Sequence, residues 1–417
     1  MPRLQVIGGS RLTGSVRISG AKNAAVAIIP AALLTEAPVR IENLPNIYDI
    51  HVLVKILQYL GVKTVWETPS TLLIDPSTLS SWQPPYELVK KLRASYYFLG
   101  SLVGRFGQAV VPVPGGCDLG PRPIDQHIKG LAALGANVNV EHGLIKVSAG
   151  RLTGANIYLD VVSVGATINI MLAAARANGR TVIENAAKEP EIVDVANFLN
   201  AMGAKIRGAG TDVIRITGVK ELGPVTHTVI PDRIEAGTYM IAGAATGGDV
   251  LLHEVIPKHL DPLTAKLREM DIQVEVADDS IRVIGNPCPL AADIKTFPYP
   301  GFPTDMQSLA MVLLTQADGS SMITENVFEN RFKHVDELKR MGAQIKVEGR
   351  TAFITGRTRL SGAPVKATDL RAGAAFIVAG LIAEGETVIS DTNHIYRGYE
   401  NICEKMAALG AQIKEID

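Results

Sequence analysis

Cysteine, aromatic side chains, long apolar runs and an excess of either charge are all scarce in this chain. Its 417 residues include 3 cysteines, an odd and sparse set that argues against a disulfide framework and fits reduced thiols in the cytoplasm. The 41 basic and 42 acidic residues nearly cancel, which gives no basis for binding nucleic acid or an anionic membrane surface. The apolar runs fall short of the roughly 20 residues that cross a bilayer, and the N-terminal stretch has no signal-peptide core. We therefore expect a cytoplasmic protein with neither nucleic acid nor a membrane as its partner.

Motifs for nucleotide cofactors and catalytic metals are also missing. The sequence has no G-x-x-x-x-G-K-[ST] and no strand-anchored G-x-G-x-x-G. Its 8 histidines form no H-E-x-x-H and no Cys/His cluster. We expect a protein that uses no cofactor and no metal.

What the chain does contain is a sixfold internal repeat. Segments of the type LAALGANVNVE end an amphipathic helix, turn, and continue as an alternating strand. Successive turns are 74, 68, 68, 71 and 68 residues apart. The turns fall at Gly61, Gly135, Gly203, Asp271, Gly342 and Gly410. Because an Ala-rich helix and further strands precede each turn, each unit is predicted as β-α-β-α-β-β, which gives an α/β fold.

The two ends of the chain complete this count. The sixth unit stops after QIKEID without its closing strand, and the N-terminal LQVIGGSRLTG has the missing pattern. We therefore predict two domains of three repeats, residues 22–229 and residues 1–21 joined with 230–417. Two chain crossings between them would permit hinge closure about a cleft, and a single rigid six-unit ring is the alternative. No additional apolar face is evident, which favours a monomer.

An insertion rich in glycine and proline marks the second unit. The segment PGGCDLGPRP (114–123) lengthens the stretch from strand end to turn to 21 residues, against 16 or 18 in the units compared with it. Such an insertion is typical of a lid, and Arg122 near Cys117 favours a reactive thiolate. The alternative is an inert thiol in a surface loop. The other cysteines, Cys288 and Cys403, are interpreted as packing residues.

Charged side chains occupy the starts of several repeat helices. Lys22 and Asn23 open the first Ala-rich helix, whose N-terminus favours an anion. An acid at a helix start is commonly a cap, which is the structural alternative for Asp305. Arg93 opens the equivalent helix of the second unit, and Asp369 and Arg371 open that of the sixth. Arg397 lies in the loop of the last unit that corresponds to the Cys117 loop. Together these side chains predict a cleft for a doubly anionic substrate.

Six motifs follow one another along the whole chain: SGAKNAA (19–25), PGGCDLGPRPID (114–125), SVGAT (163–167), PTDMQ (303–307), DLRAG (369–373) and YRGYE (396–400). In order and spacing they resemble the bacterial UDP-N-acetylglucosamine enolpyruvyl transferases. The resemblance implies the two-domain inside-out α/β barrel of the enolpyruvyl transferase fold. It also implies the first committed step of peptidoglycan synthesis. In that step the enolpyruvyl group of phosphoenolpyruvate passes to the 3-hydroxyl of UDP-N-acetylglucosamine and phosphate leaves.

The resemblance further implies roles for individual residues. Cys117 matches a proton donor that also forms a covalent adduct with phosphoenolpyruvate, and Asp305 matches the general base at the sugar hydroxyl. Lys22, Arg122 and Arg397 match cations that hold phosphoenolpyruvate, and Lys22 and Arg397 count with Cys117 and Asp305 as catalytic. The residues expected to contact the substrates are Lys22, Asn23, Arg93, Arg122, Pro123, Ile124, Asp125, Gln126, Ser163, Val164, Gly165, Asp305, Val327, Asp369, Arg371 and Arg397.

Val161 departs from the family pattern, since many relatives carry a lysine there that reaches the uridine diphosphate. We expect the diphosphate to be held with one cation fewer, or by another group such as a flanking arginine. Two alternative functions stay open. One is transfer of the same group to shikimate phosphate, by a sister enzyme that lacks the Gly-Gly-Cys loop. The other is a non-catalytic sensor of UDP-sugars, which would be expected to lose one of the four catalytic residues.

Overall fold

Six small β-sheets and the helices between their strands make up the part of the chain that the structure describes. The structure is a computed structural model, and it describes residues 2–113 and 124–417. Cys117, Arg122 and Pro123, in the predicted lid, lie outside these residues.

The strands and helices alternate along the whole described chain. The strands are β1 (Arg3–Ile7), β2 (Thr13–Arg17), β3 (Val39–Glu42), β4 (Lys63–Thr68), β5 (Thr71–Asp75), β6 (Gln108–Pro112), β7 (Asn137–Glu141), β8 (Leu144–Ser148), β9 (Asn156–Tyr158), β10 (Arg180–Glu184), β11 (Lys205–Arg207), β12 (Val213–Thr217), β13 (Val225–Thr228), β14 (Asp249–His253), β15 (Gln273–Val276), β16 (Ser280–Ile284), β17 (Ile294–Lys295), β18 (Ser320–Thr324), β19 (Ile345–Glu348), β20 (Thr351–Thr355), β21 (Pro364–Lys366), β22 (Glu386–Ser390) and β23 (Gln412–Ile416). The α-helices are α1 (Lys22–Ala31), α2 (Tyr48–Tyr59), α3 (Tyr86–Val89), α4 (Tyr97–Phe106), α5 (Asp125–Ala133), α6 (Val164–Ala174), α7 (Pro190–Ala201), α8 (Arg233–Ala245), α9 (Asp261–Glu269), α10 (Gln307–Leu314), α11 (Val335–Arg340), α12 (Leu370–Ile382) and α13 (Ile402–Ala408). Short 3-10 helices occupy Ala32–Leu34, Pro76–Thr78, Arg93–Tyr96, Pro257–Leu260, Thr304–Met306 and Thr392–Arg397.

Five of the sheets have four strands and share one strand order. In the third repeat the order is β11-β12-β10-β9, where β9 runs parallel to β10 and the other pairs are antiparallel. The same order recurs in β4-β5-β3-β13, β15-β16-β14-β2, β19-β20-β18-β17 and β23-β1-β22-β21. Each of these sheets is open, with two edge strands. This is the predicted β-α-β-α-β-β unit.

The second repeat departs from that expectation, because its sheet β6-β8-β7 has three strands in the described ranges. The carbonyl of Trp82 accepts a hydrogen bond from the N–H of Val110 in β6 at 3.1 Å. The chain then continues through Pro84 and Pro85, which have no N–H to donate to a strand ladder. The edge strand of this repeat is thereby reduced to a single backbone contact.

Strand β1 lies in the middle of the last sheet, between β22 and β23. Leu4 pairs with Ile389 of β22 on one side and with Glu415 of β23 on the other, both antiparallel. The N-terminal strand therefore stands at the position that the repeat pattern leaves open in the sixth unit.

The chain divides into two compact units, each with its own apolar core. In the described ranges, one unit holds residues 20–113 and 124–230, and the other holds residues 2–19 and 231–417. The predicted domains, 22–229 and 1–21 with 230–417, stay a prediction. A compact unit does not test whether that part of the chain folds or moves independently.

The Ala-rich helices α1, α6 and α12 form the centres of these cores. Nearly every residue of each helix is buried, including the small ones. A helix that is apolar on all sides is stable only when it is surrounded by other elements. Side chains at the starts of these three helices are consequently attached to rigid elements.

None of the described helices is long and apolar enough to cross a bilayer.

Candidate functional site

Lys22, the first residue of α1, forms an ion pair with a buried carboxylate. Its Nζ lies 2.8 Å from Oδ2 of Asp49 in α2, and the side chain of Asp49 is wholly buried. A buried ion pair leaves an uncompensated charge if either member is lost, so Asp49 holds the ammonium group at a fixed place. Asn23 follows and is half-buried. The sequence analysis missed Asp49, whose only signal is an acid next to the apolar Ile50 near the start of an amphipathic helix.

A second cluster in the same unit joins the start of α5 to the segment before α6. The side chain of Gln126 accepts from the N–H of Asp160 at 3.0 Å, and it donates to the carboxylates of Asp125 at 2.8 Å and Asp160 at 3.1 Å. Lys129 Nζ lies 2.7 Å from Asp160 Oδ1. Val161, the next residue, is exposed. Asp125 and Gln126, both predicted to bind the substrate, thus lie beside the segment that leads into α6.

His127, one residue further along α5, is buried and held in one tautomer. Asn169 accepts from the N–H of Gly100 at 2.6 Å, and its Nδ2 donates to the carbonyl of Tyr96 at 2.8 Å and to His127 Nδ1 at 3.0 Å. These contacts fix the amide orientation, so the imidazole proton is assigned to Nε2. Burial, together with the positive charge of Arg93, lowers the pKa of His127 to about 4. His127 is therefore neutral at physiological pH.

Gly165 packs directly against this histidine at the start of α6. A Cβ at this position would lie 2.7 Å from the Tyr96 hydroxyl and 3.0 Å from His127 Cε1, so only glycine fits without displacement. Ser163 caps the helix by accepting from the N–H of Ala166 at 3.3 Å. The SVGAT motif therefore stands against the α5 residues predicted to bind the same substrate.

In the other unit, Asp305 lies in the 3-10 turn before α10, and two arginines hold its carboxylate. Oδ1 accepts from Arg331 Nη2 at 3.1 Å, and Oδ2 accepts from Arg371 Nε and Nη2 at 3.2 Å. The arginine side chains are 3% and 4% exposed, whereas that of Asp305 is 28% exposed. Neither the turn nor α10 has a side-chain cap, so the capping alternative does not hold. Two guanidinium groups thus hold the carboxylate in one direction.

Asp369 and Arg371 act together at the start of α12. Asp369 is the N-cap, since its Oδ1 accepts from the N–H groups of Arg371 at 2.8 Å and Ala372 at 3.1 Å. The guanidinium of Arg371 lies 5.3 Å from the centre of the Tyr399 ring. Its Nη1 is buried and makes no hydrogen bond within the described ranges. A buried N–H group of this kind is suited to donate a hydrogen bond to an oxygen of a ligand.

Arg397 ends the 3-10 helix Thr392–Arg397, which packs closely on α12. A Cβ on Gly373 would lie 2.5 Å from Ile395 Cγ1, so the glycine of the DLRAG motif permits this approach. Arg397 is half-buried and belongs to the same unit as Asp305.

Val327 lies in the turn after β18, where its N–H donates to Glu325 Oε1 at 2.8 Å. Arg331 follows four residues later and was missed by the sequence analysis, although it stands in the conspicuous string VFENRF. The structure thus joins Asp305 and Arg371 by hydrogen bonds and places Val327 in the same unit.

For two further predicted residues, Ile124 and Val164, the structure gives a position and a degree of burial. Ile124 precedes α5 and is half-buried, as is Val164 at the start of α6. Within residues 2–113 and 124–417, no group of three or more His, Cys, Asp or Glu side chains is arranged to hold a metal ion. The absence of a cofactor stays a prediction.

The interpretation of Cys288 as a packing residue is wrong. Its side chain is exposed, and its Sγ accepts from Arg357 Nη2 at 3.4 Å, because flanking prolines place it in a surface turn. Cys403 is partly buried against the core, and burial raises its pKa to about 11.

Comparison with known proteins gives full-length likenesses. A family model described as EPSP synthase (3-phosphoshikimate 1-carboxyvinyltransferase) matches residues 6–406. UDP-N-acetylglucosamine 1-carboxyvinyltransferase 2 of Geobacillus kaustophilus is 58% identical over 413 residues, which cover 99% of this chain and 96% of the relative. UDP-N-acetylglucosamine 1-carboxyvinyltransferase 3 of Caldanaerobacter subterraneus subsp. tengcongensis is 58% identical over 416 residues and 100% of both chains. Among solved structures, the enolpyruvyl transferase NikO from Streptomyces tendae is 28% identical, covers 99% of this chain and 98% of its own, and has a TM-score of 0.91. These likenesses confirm the predicted fold class.

Proposed function

Because this chain belongs to the UDP-N-acetylglucosamine 1-carboxyvinyltransferases within the EPSP synthase family, we propose that it transfers the enolpyruvyl group of phosphoenolpyruvate to the 3-hydroxyl of UDP-N-acetylglucosamine and releases phosphate. The observation that carries this proposal is the 58% identity, over nearly the whole chain, to relatives named for that reaction. The family description names a different acceptor, 3-phosphoshikimate. No feature of the described site favours that acceptor or a non-catalytic sensor.

Lys22 is proposed to bind the phosphate of phosphoenolpyruvate. Its ammonium group stands at the N-terminus of α1, where the helix dipole adds to its attraction for an anion, and Asp49 keeps it in place at 2.8 Å. Asn23 is assigned to the same ligand by its motif. Arg122 and Arg397 are assigned to it as well, as guanidinium groups suited to phosphate and carboxylate.

Asp305 is proposed as the general base. Its carboxylate, held in place by Arg331 and Arg371, would take the proton of the sugar 3-hydroxyl as that oxygen bonds to C2 of phosphoenolpyruvate. Cys117 would deliver a proton to C3 as the double bond is lost. Elimination then removes a proton from C3, restores the double bond and releases phosphate. The role of Cys117, including a covalent adduct with phosphoenolpyruvate, rests on its motif.

The UDP-sugar is proposed to bind through the residues that match the family's sugar-contacting motifs. Its contacts would come from Arg93, Arg122, Pro123, Ile124, Asp125, Gln126, Ser163, Val164 and Gly165 and from Asp305, Val327, Asp369 and Arg371. The clustering of the α5 and α6 positions around His127 supports a common ligand for that group. Arg93 lies near the same histidine, as its effect on the pKa of His127 indicates.

The proposal is tested by phosphate release from the purified chain. With both substrates present, we expect one phosphate for each UDP-N-acetylglucosamine consumed, and none when either substrate is omitted. Shikimate 3-phosphate in place of the nucleotide sugar is the matched control and should give no release. Binding of the sugar without phosphate release would favour the sensor, and release with shikimate 3-phosphate alone would favour the sister reaction.

The cellular setting belongs to the same proposal. We infer a cytoplasmic monomer: the three sparse cysteines support the location, and the lack of an evident additional apolar face in the sequence supports the monomer. Light scattering during size-exclusion chromatography should give a mass near 44.5 kDa. A mass twice that value would replace the monomer by a dimer.

A further inference from the structure

Glu325 is a buried carboxylate that the proposed chemistry does not use. It is 1% exposed and follows β18 directly. Four donors surround its two oxygens at 2.8 to 3.1 Å: the hydroxyls of Thr296 and Thr304 and the N–H groups of Val327 and Phe328. A buried charge is tolerated only when it is bonded in this way, and charge-assisted bonds are stronger than neutral ones. The four contacts therefore form a stiff junction.

The corresponding position in two other repeats shows what is special about this glutamate. Asn43 and Asn185 also follow the central strand of their sheets. Each donates its amide to the carbonyl after the parallel edge strand, Val229 at 2.9 Å and Leu159 at 2.8 Å. Both asparagines have a φ of 55°, in the left-handed region. In these repeats the asparagine side chain joins the ends of two strands of one sheet.

In the fifth repeat the glutamate keeps that junction and adds another. Its Oε1 accepts from Thr296, which follows the parallel edge strand β17. Its Oε2 accepts from Thr304, the residue directly before Asp305. One side chain thus connects the turn that carries Asp305 with the turn that carries Val327.

We propose that Glu325 is a positioning residue that sets the backbone under Asp305, through Thr304, and the backbone of Val327 in one geometry toward the UDP-sugar. The inference rests on the proposed function, in which Asp305 and Val327 meet that substrate. The two arginines at Asp305 fix the direction of its carboxylate, whereas the bond to Thr304 fixes the turn from which it extends. A displacement of about 1 Å at a reacting group can cost a hundredfold in rate.

The test compares variants at the two ends of this connection. Thr304→Val removes the hydroxyl at nearly constant volume, and Thr304→Ser restores it. Glu325→Gln retains an acceptor for the turn and a donor for Thr304, whereas Glu325→Ala removes both. Thr324→Val is the matched control, because that neighbouring hydroxyl contacts Thr351 at 3.4 Å and, among the described residues, makes no hydrogen bond to Glu325. For each variant, kcat, the KM of both substrates and the Kd of UDP-N-acetylglucosamine by calorimetry are measured, together with the melting temperature.

We expect Thr304→Val to lower kcat about tenfold and to weaken sugar binding about threefold, with the KM of phosphoenolpyruvate unchanged. Thr304→Ser and Glu325→Gln should recover most of both losses, and Thr324→Val should match the unaltered chain. Wild-type kcat and sugar Kd in Thr304→Val would overturn the inference, even if Glu325→Ala fails to fold. If the unaltered chain shows no turnover, the proposed function fails separately, and the sugar Kd alone decides whether Glu325 positions this site.

Discussion

The buried neutral His127 makes a quantitative prediction about acid stability. Burial lowers its pKa to about 4, from the ordinary value of 6.5 that it regains on unfolding. A depressed folded-state pKa contributes stability that is complete above pH 6.5 and is lost as the pH falls toward 4. At pH 5.5 an unfolded histidine is mostly protonated while His127 is not, which costs about 1.4 kcal/mol, and the full loss below pH 4 is about 3 kcal/mol.

The assay is thermal unfolding at pH 7.5 and pH 5.5 for the unaltered chain and for His127→Gln, which keeps an acceptor opposite Asn169. Other titrating groups act on both proteins, so only the difference between them matters. Without the histidine, the acid-induced drop in melting temperature should be smaller by roughly 1 to 2 °C for a chain of 417 residues. His253→Gln, at an exposed position in β14, should behave as the unaltered chain does. Equal drops in the unaltered chain and in His127→Gln would refute the reasoning.

Three further changes test the packing and charge arrangements of the site. Gly165→Ala should destabilise the protein by about 1 to 3 kcal/mol through overpacking, measured by urea unfolding. Gly150→Ala, where a Cβ meets nothing within 4 Å, is its control, and equal effects of the two would contradict the steric argument. Asp49→Asn should cost about 3 kcal/mol in the same assay by removing the buried negative charge that faces the ammonium of Lys22 at 2.8 Å, and a cost below about 1 kcal/mol would show that the pair is not needed. Arg331→Lys should lower kcat about tenfold with little change in melting temperature, because lysine cannot reproduce the guanidinium geometry, whereas unchanged turnover would remove this arginine from the site.

Local patterns in the sequence were sufficient to predict the repeats and the helix starts. The glycine turns after amphipathic helices and the alternating strands recur every 68 to 74 residues, and each depends on a few neighbouring side chains. Ser163 and Asp369, at the starts of α6 and α12, have local capping partners that lie within three residues. Structure that depends only on residues close together in the sequence can be predicted from hydrophobic periodicity and from the residue types at turns and helix caps.

Contacts between distant parts of the chain could not be predicted in the same way. Arg371 reaches Asp305 across 66 positions, and Asn169 fixes His127 across 42. Nothing in the composition around Asp49 or Glu325 indicates which donor each would meet, because the partner is chosen by packing of helices and sheets. The repeat pattern also predicted an edge strand in the second unit that the structure does not show in the described residues. Pro84 and Pro85 interrupt the strand there, and this local signal conflicts with the pattern that the other five units share.

The central place of β1 in the last sheet has a consequence for synthesis on the ribosome. Leu4 is among the first residues made, yet its partner Ile389 follows 385 positions later. At about 5 to 20 residues per second, β1 waits roughly 20 to 80 s for the strands that flank it. The described residues of one compact unit, 20–113 and 124–230, are all synthesised during that interval. The strand RLQVI meanwhile lacks both strands that flank it in the finished sheet, so one of the first strands to be made is among the last that can pair.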